Sequence, residues 1–159
     1  MKKTNLLLVM LVALFATALT SCDALNREKQ LIGTWETSYT DDSYPATSSY
    51  TFNNDNTFEE VVEIQFPEGT LKLVSPGTFK VKNGVVEFMY DLDECKAYAD
   101  GEFDESLTES LVNDNRKEND KTNEFRKENN VYGFKIVKVD QKTLVLSTSD
   151  QDELTYTKQ

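Results

Sequence analysis

Histidine is absent from the 159 residues of this sequence, and its absence limits the chemistry that the side chains can perform. Histidine is the commonest metal ligand and the side chain that titrates nearest neutral pH, and Ser-His-Asp catalysis requires it. Carboxylates are numerous, but no spacing indicates two or three converging polar groups for acid–base catalysis. We therefore expect no catalytic residues and no enzyme; the disfavoured alternative is an isomerase or hydrolase with Glu60 or a tyrosine as its base.

Two clusters of acidic residues supply oxygen ligands of the kind that Ca²⁺ prefers. They are Asp91, Asp93 and Glu94 in the first cluster, and Asp100, Glu102, Asp104 and Glu105 in the second. Neither cluster has the spacing of an EF-hand, with its central glycine and terminal glutamate. We interpret both as charged, solvated loops and predict neither a metal site nor a cofactor.

Cys22 is the residue whose surroundings indicate a defined chemistry. Lys2 and Lys3 precede an uncharged, apolar run over residues 6–19. This run is shorter than the roughly 20 apolar residues of a membrane-spanning helix and is typical of a signal peptide. The segment Leu19-Thr20-Ser21-Cys22 resembles the lipobox of bacterial lipoproteins. That resemblance implies cleavage before Cys22, a thioether-linked diacylglycerol on its sulfur and acylation of its new amino group; the alternative is an ordinary secretory signal peptide.

Lipidation determines where we expect the protein to act. One acyl chain binds a bilayer reversibly, whereas two or more hold a protein stably, so the lipid bilayer is the predicted partner of acylated Cys22. Asp23 resembles the inner-membrane retention signal of some enterobacteria, although that rule is not general. We predict a lipid-anchored protein of the bacterial cell envelope and favour the outer membrane.

The composition after cleavage predicts one small, acidic domain. Residues 22–159 number 138, which suffices for a single core. Removing Lys2 and Lys3 from the 17 basic residues leaves 15 against 28 acidic ones, a net charge of −13. Such a surface repels phosphate, so we exclude nucleic acid as a partner. We divide the chain into a signal peptide (1–21), a tether (22–30) and a folded domain (31–159), and expect a monomer.

Cys95 has no partner for an intrachain disulfide if Cys22 carries lipid. It is then either a small buried side chain or a free thiol that pairs between chains. We favour burial, because unpaired cysteine is among the most often buried residue types.

Short runs rich in Val, Ile, Thr, Tyr and Phe dominate the mature chain, and turn residues separate them, a pattern typical of an all-β sandwich or barrel. The eight predicted strands cover residues 31–40, 48–53, 57–66, 77–82, 85–91, 131–139, 142–148 and 153–158, with a separate short segment at 70–74. Pro45 and Pro76-Gly77 are expected to end pairing. Asn83-Gly84 predicts a type I′ hairpin turn, and the other short loops require antiparallel neighbours.

An acidic insertion at about residues 92–130 interrupts this order between the fifth and sixth strands. Within it, Phe103, Leu107 and Leu111 recur every four residues and predict a short amphipathic helix. For residues 113–129 we predict a solvated loop or the polar outer part of a long hairpin.

The segment Leu31-Ile32-Gly33-Thr34-Trp35 resembles the Gly-x-Trp signature of lipocalins. Together with the lipobox, Tyr50-Thr51-Phe52 and the ending Leu154-Thr155-Tyr156-Thr157, it makes residues 31–158 similar to the lipocalin-like lipoproteins of Bacteroidota. The resemblance implies an eight-stranded antiparallel up-and-down barrel that carries the helical, acidic insertion. It also implies structural roles for Gly33 and Trp35 at the closed end of that barrel.

The alternation of side chains along the predicted strands assigns an aromatic-rich set to the barrel interior. We predict that the ligand-binding residues are Tyr50, Phe52, Phe58, Glu60, Val62, Ile64, Phe79, Phe88, Tyr90 and Phe134. The alternative is a filled core. Glu60 is the most specific member, because a carboxylate on an aromatic face must be paired, hydrated in a cavity or placed at the barrel mouth.

These observations predict a non-enzymatic, membrane-anchored, lipocalin-like lipoprotein that binds a small, largely apolar molecule in its barrel. The alternative is an envelope interaction or scaffold protein, with a filled barrel and the acidic insertion as its contact surface.

Overall fold

The structure is a computed structural model that describes residues 26–41, 44–103, 105–129, 133–147 and 153–159; the predicted signal peptide and Cys22 lie outside these ranges. The described helices are α1, residues 26–31, and α2, Glu105–Asn129. The described strands are β1 (Gly33–Asp41), β2 (Tyr44–Phe52), β3 (Thr57–Phe66), β4 (Gly69–Lys82), β5 (Val85–Tyr90), β6 (Lys96–Gly101), β7 (Gly133–Val139), β8 (Thr143–Ser147) and β9 (Glu153–Lys158).

Eight of these strands close into an antiparallel barrel. Strands β1 to β5 pair in chain order, β5 then pairs with β7, and β7 to β9 again pair in order. Trp35 pairs with Lys158 and thereby joins β1 to β9. The remaining strand, β6, pairs with the first half of β4. The predicted fold class is confirmed: an eight-stranded antiparallel barrel with an insertion between its fifth and sixth strands, which are β5 and β7.

The two ends of the barrel differ. The short turns β2–β3, β4–β5 and β7–β8 gather at one end, which α1 covers and which we call the closed end. Asn83 and Gly84 in the β4–β5 turn have φ angles of 53° and 76°, as the predicted type I′ turn requires. We call the opposite end, where β3 passes into β4, the open end.

The closed end is built around Trp35. Its indole N–H donates a hydrogen bond of 2.6 Å to the carbonyl oxygen of Leu31, and both residues are fully buried. Leu31 is the last residue of α1, so the prediction that the first strand begins there is wrong; β1 begins at Gly33. Gly33 has a φ of 123°, and a Cβ at this position would lie 2.8 Å from Cε of Lys158. A larger residue would therefore disturb the junction that seats α1.

Two prolines lie inside strands, although we predicted that they would end pairing. Strand β4 runs unbroken through Pro76, and β2 includes Pro45. In each case a neighbouring strand is interrupted: β5 and β6 leave a gap opposite Pro76, and the pairing of β2 with β3 begins only at Ala46. Proline lacks an N–H, and such edge positions tolerate it.

The insertion consists of β6 and α2. The prediction of a loop or hairpin over residues 113–129 is wrong, because α2 remains helical to Asn129. Among the α2 side chains that the structure describes, Asn119 and Asn123 are the buried ones, with 8% and 5% exposure. Since α2 docks through polar side chains, the apolar periodicity that reveals most helices is missing from its second half.

Candidate binding site in the open half of the barrel

The ten predicted interior residues share the inner face of the barrel. Tyr50 lies opposite Glu60, and Phe79 lies opposite Phe88, so alternation along these strands carries the whole set to one face. Within this set, the residues near the closed end and those near the open end differ in how tightly they pack.

The half next to the closed end is a solid core. Phe52, Phe58, Phe79 and Phe88 are only 1 to 3% exposed. The ring centroids of Phe52 and Phe79 are 4.9 Å apart, and those of Phe88 and Phe134 are 5.8 Å apart, both in edge-to-face contact. These five phenylalanines therefore act as packing residues, and the filled-core alternative describes this half of the barrel.

Glu60 lies at the boundary between the two halves, and both of its carboxylate oxygens accept hydrogen bonds. The Tyr50 hydroxyl donates to Oε1 at 2.6 Å, and the Tyr90 hydroxyl donates to Oε2 at 2.8 Å. Tyr50 is the residue paired with Glu60 in the β2–β3 hairpin, whereas Tyr90 is the last residue of β5. We call Glu60, Tyr50 and Tyr90 the carboxylate cluster.

Burial dominates the electrostatics of the carboxylate cluster. It raises the pKa of Glu60 above the ordinary value, and the hydrogen bonds from Tyr50 and Tyr90 partly reverse this shift. Burial, followed by the negative charge of Glu60, also holds the pKa of Tyr50 well above its ordinary value. The hydroxyl of Tyr50 therefore keeps its proton and donates it to Glu60.

Ser48 and Tyr156 extend this polar layer, and the sequence prediction missed both. Tyr156 is 2% exposed, and its ring centroid lies 5.7 Å from that of Tyr50. Burial and the charge of Glu60 raise the pKa of Tyr156 to about 12, while a hydrogen bond with Ser48 lowers it. Ser48 precedes Tyr50 by two residues, so alternation along β2 places both on the inner face. The signal available for Tyr156 is that it lies two residues from Leu154 and therefore shares a face of β9 with it.

Towards the open end, the inner wall becomes apolar and is incompletely buried. This wall consists of Val62, Ile64, Leu71 and Leu73. Three of these side chains are only partly buried. At the rim, Tyr39 and Leu154 keep 44% and 40% exposure although their strand positions face inward. At these positions the apolar wall above the carboxylate cluster is therefore incompletely covered, while Asn115 and Asn119 of α2 donate to Ser75, the inner-face residue of β4 that is paired with Glu60.

Helix α2 completes the wall beside the carboxylate cluster. Pairing between β5 and β7 stops at Glu87 and Gly133, and beyond that pair α2 flanks β5. The Asn123 side chain accepts a hydrogen bond from the Tyr90 N–H at 3.0 Å and donates one to the Tyr90 carbonyl oxygen at 2.9 Å. Arg116 anchors the same helix by donating to the carbonyl oxygen of Leu92 at 2.9 Å. The helix therefore holds the backbone of Tyr90 in place.

Cys95 lies under α2 and is 2% exposed, which confirms that it is a buried free cysteine. Its sulfur lies 3.4 Å from the carbonyl oxygen of Asp91 and 3.7 Å from the side-chain nitrogen of Asn119. The thiol thus belongs to the packing of α2 on the segment between β5 and β6.

The first predicted acidic cluster lines a groove of about 800 Å³ between α2 and strands β3, β4 and β5, which we call the outer groove; its lining also includes Phe58 and Tyr90. The carboxylates along it are Glu59, Asp91, Asp93, Glu94 and Asp120. In the second cluster Asp100 and Glu102 are exposed, whereas Asp104 and the side chain of Glu105 lie outside the described part of the structure. Among the described residues, no three His, Cys, Asp or Glu side chains are arranged to hold a metal ion.

Neither helix in the described ranges has the length and apolar composition needed to cross a membrane. The sequence matches no protein-family model and no curated protein.

Proposed function

We propose that this protein is a lipid-anchored, non-enzymatic, lipocalin-like barrel that binds one small, largely apolar molecule in the open half of its interior. The observation that carries the proposal is the carboxylate cluster at the base of an accessible apolar wall. Small-molecule sites are typically apolar cavities in which a few fixed polar groups orient the ligand. Because the closed half is filled, the ligand occupies only the space between the carboxylate cluster and the rim.

The position of Glu60 supports a role in binding. Its neighbours on the inner face of β3 are Phe58 and Val62, so an apolar side chain would suit the same position. Removing a carboxylate from water costs several kcal/mol unless its hydrogen bonds compensate. Residues that break the packing pattern in this way are concentrated at functional sites.

The first experiment is native mass spectrometry of the protein purified from its own organism, followed by titration of the delipidated protein with an apolar, environment-sensitive fluorophore. Val62→Trp fills the open half from the inner face, whereas Val61→Trp adds the same side chain on the outer face of the same strand. We expect fluorophore binding to be lost in Val62→Trp and kept in Val61→Trp. Equal binding by both variants, or no co-purifying ligand and no fluorophore binding, would contradict the proposal.

The anchor is part of the same proposal. Helix α1 begins at residue 26 and covers the closed end. The four residues from Cys22 to this helix span at most about 14 Å. A lipidated Cys22 would therefore bring the closed end to the bilayer and direct the open end away from it. We propose the outer membrane of the bacterial envelope as the location.

A second candidate function is favoured by the outer groove. Glu59, Asp91, Asp93 and Glu94 are exposed along it, and a basic segment of an envelope or host protein would complement this charge. Reversing two of these charges, in Asp91→Lys with Asp93→Lys, should abolish capture of such a partner and leave fluorophore binding unchanged. If the charge reversals leave partner capture unchanged, the groove is not the contact surface.

A further inference from the structure

We infer that the polar group of the ligand is a cationic amine, which binds the Glu60 carboxylate while the apolar part of the ligand lies along the wall towards the rim. This inference rests on the proposed binding function and specifies its ligand class. It follows from the donors, acceptors and charges of the inner face.

The carboxylate cluster presents acceptors to a ligand. The hydroxyl protons of Tyr50 and Tyr90 are both directed at Glu60, at 2.6 and 2.8 Å, so neither is available to donate to a ligand. Each carboxylate oxygen retains further lone pairs, because an ionised carboxylate accepts about four hydrogen bonds. A ligand group that meets this cluster must therefore donate, and a charged donor forms a stronger bond than a neutral one.

The charges of the inner face exclude a ligand with an anionic headgroup. Among the inward-facing strand positions whose side chains the structure describes, Glu60 is the one carboxylate and Lys158 is the one basic residue. Lys158 lies at the closed end, where its ammonium donates to the carbonyl oxygen of Ile32 at 2.8 Å and sits 4.9 Å from the Trp35 ring. No described cation thus faces the open half to receive a carboxylate or phosphate headgroup, and Glu60 would repel either.

The rings around Glu60 add a second attraction for a cation. The two rings of the carboxylate cluster each contact a further ring: the centroids of Tyr50 and Tyr156 are 5.7 Å apart, and those of Tyr90 and Phe58 are 5.3 Å apart. Aromatic faces attract ammonium groups within about 6 Å, most strongly where water is excluded. An amine is therefore favoured over a neutral hydroxyl of the same size.

The test uses three probes with the same twelve-carbon chain: dodecylamine, dodecanol and dodecanoate. Each displaces the apolar fluorophore from the wild-type domain, from Glu60→Gln and from Glu59→Gln, below the micelle-forming concentration of the probe. Glu59 is the matched control, because it carries the same charge one residue away on the exposed outer face.

We expect dodecylamine to bind the wild type about tenfold or more tightly than either other probe, since one charge-assisted hydrogen bond is worth about that factor. Glu60→Gln should remove the advantage of the amine and leave dodecanol unchanged, and Glu59→Gln should change neither. If dodecanol or dodecanoate binds the wild type as tightly as the amine, the amine inference is overturned while the proposed binding function stands. If no probe displaces the bound fluorophore, the amine inference is overturned, whereas a wild-type domain that does not bind the fluorophore at all overturns the proposed binding function as well. The comparison on the wild type decides the inference even if Glu60→Gln does not fold.

Discussion

Removing the members of the carboxylate cluster one at a time, and then all together, separates a functional site from a stabilising one. Tyr50→Phe and Tyr90→Phe each delete one hydrogen bond to a buried carboxylate. A hydrogen bond to a charged group contributes about 1.5–3 kcal/mol, so each variant should lower the free energy of unfolding by that amount. Glu60→Leu leaves two hydroxyls without their acceptor and should cost about 1–3 kcal/mol for each one that stays buried.

The triple variant Tyr50→Phe/Tyr90→Phe/Glu60→Leu contains none of these polar groups. Replacing a buried polar network by apolar side chains of similar volume is often neutral or stabilising. We therefore expect the free energy of unfolding of the triple variant to lie within about 1 kcal/mol of the wild-type value or above it. Amine binding should be lost. If the effects of the three single substitutions were additive, the free energy of unfolding would instead fall by at least about 4 kcal/mol.

The assay is urea denaturation followed by the fluorescence of Trp35, with the free energy of unfolding extrapolated linearly to water. Glu59→Leu, which changes charge and hydrophobicity on the outer face, controls for the effect of the substitution itself and should stay within about 0.5 kcal/mol of the wild type. A triple variant that loses as much stability as the sum of the single variants would show that Glu60 is a structural residue and contradict its role in binding.

Three further predictions concern the helix, alkaline pH and the anchor. Asn123→Ala removes both side-chain hydrogen bonds to the Tyr90 backbone, so it should lower stability by about 1–3 kcal/mol and speed amide hydrogen exchange across α2; unchanged protection would contradict this. The folded state raises the pKa of Tyr156 to about 12, so the unfolded chain loses that proton first as pH rises above its ordinary value of 10. Tyr156 alone should lower the free energy of unfolding by about 2–3 kcal/mol between these pH values, so the stability of Tyr156→Phe should fall less steeply with pH in urea titrations; parallel curves would contradict the assignment. Cys22→Ser should abolish labelling of the protein by radioactive palmitate in cells, and retained label would count against the lipobox.

Much of the barrel could be predicted because its determinants are local. Alternation along β2 and β3, joined by a turn of four residues, places Tyr50 opposite Glu60. Asn83-Gly84 defines the β4–β5 hairpin through its positive φ angles. These short-range signals do not depend on how the rest of the chain packs.

The remaining features depend on contacts distant in sequence. Tyr90 meets Glu60 across 30 residues, and this contact requires both β5 and α2 in place. Asn123 sits in the middle of a helix, where asparagine has low intrinsic propensity and normally indicates a solvated loop. The hydrogen bonds that Asn123 makes form only when the backbone of Tyr90 lies beside it. This dependence explains why the sequence predicted a loop over residues 113–129.

A crystal structure of the delipidated domain with dodecylamine would show directly where the amine binds. We expect the ligand nitrogen within about 3 Å of a Glu60 carboxylate oxygen, with the alkyl chain along Val62 and Ile64 towards Tyr39. Dodecylamine found in the outer groove, or an open half occupied by protein side chains with Glu60 inaccessible, would contradict it.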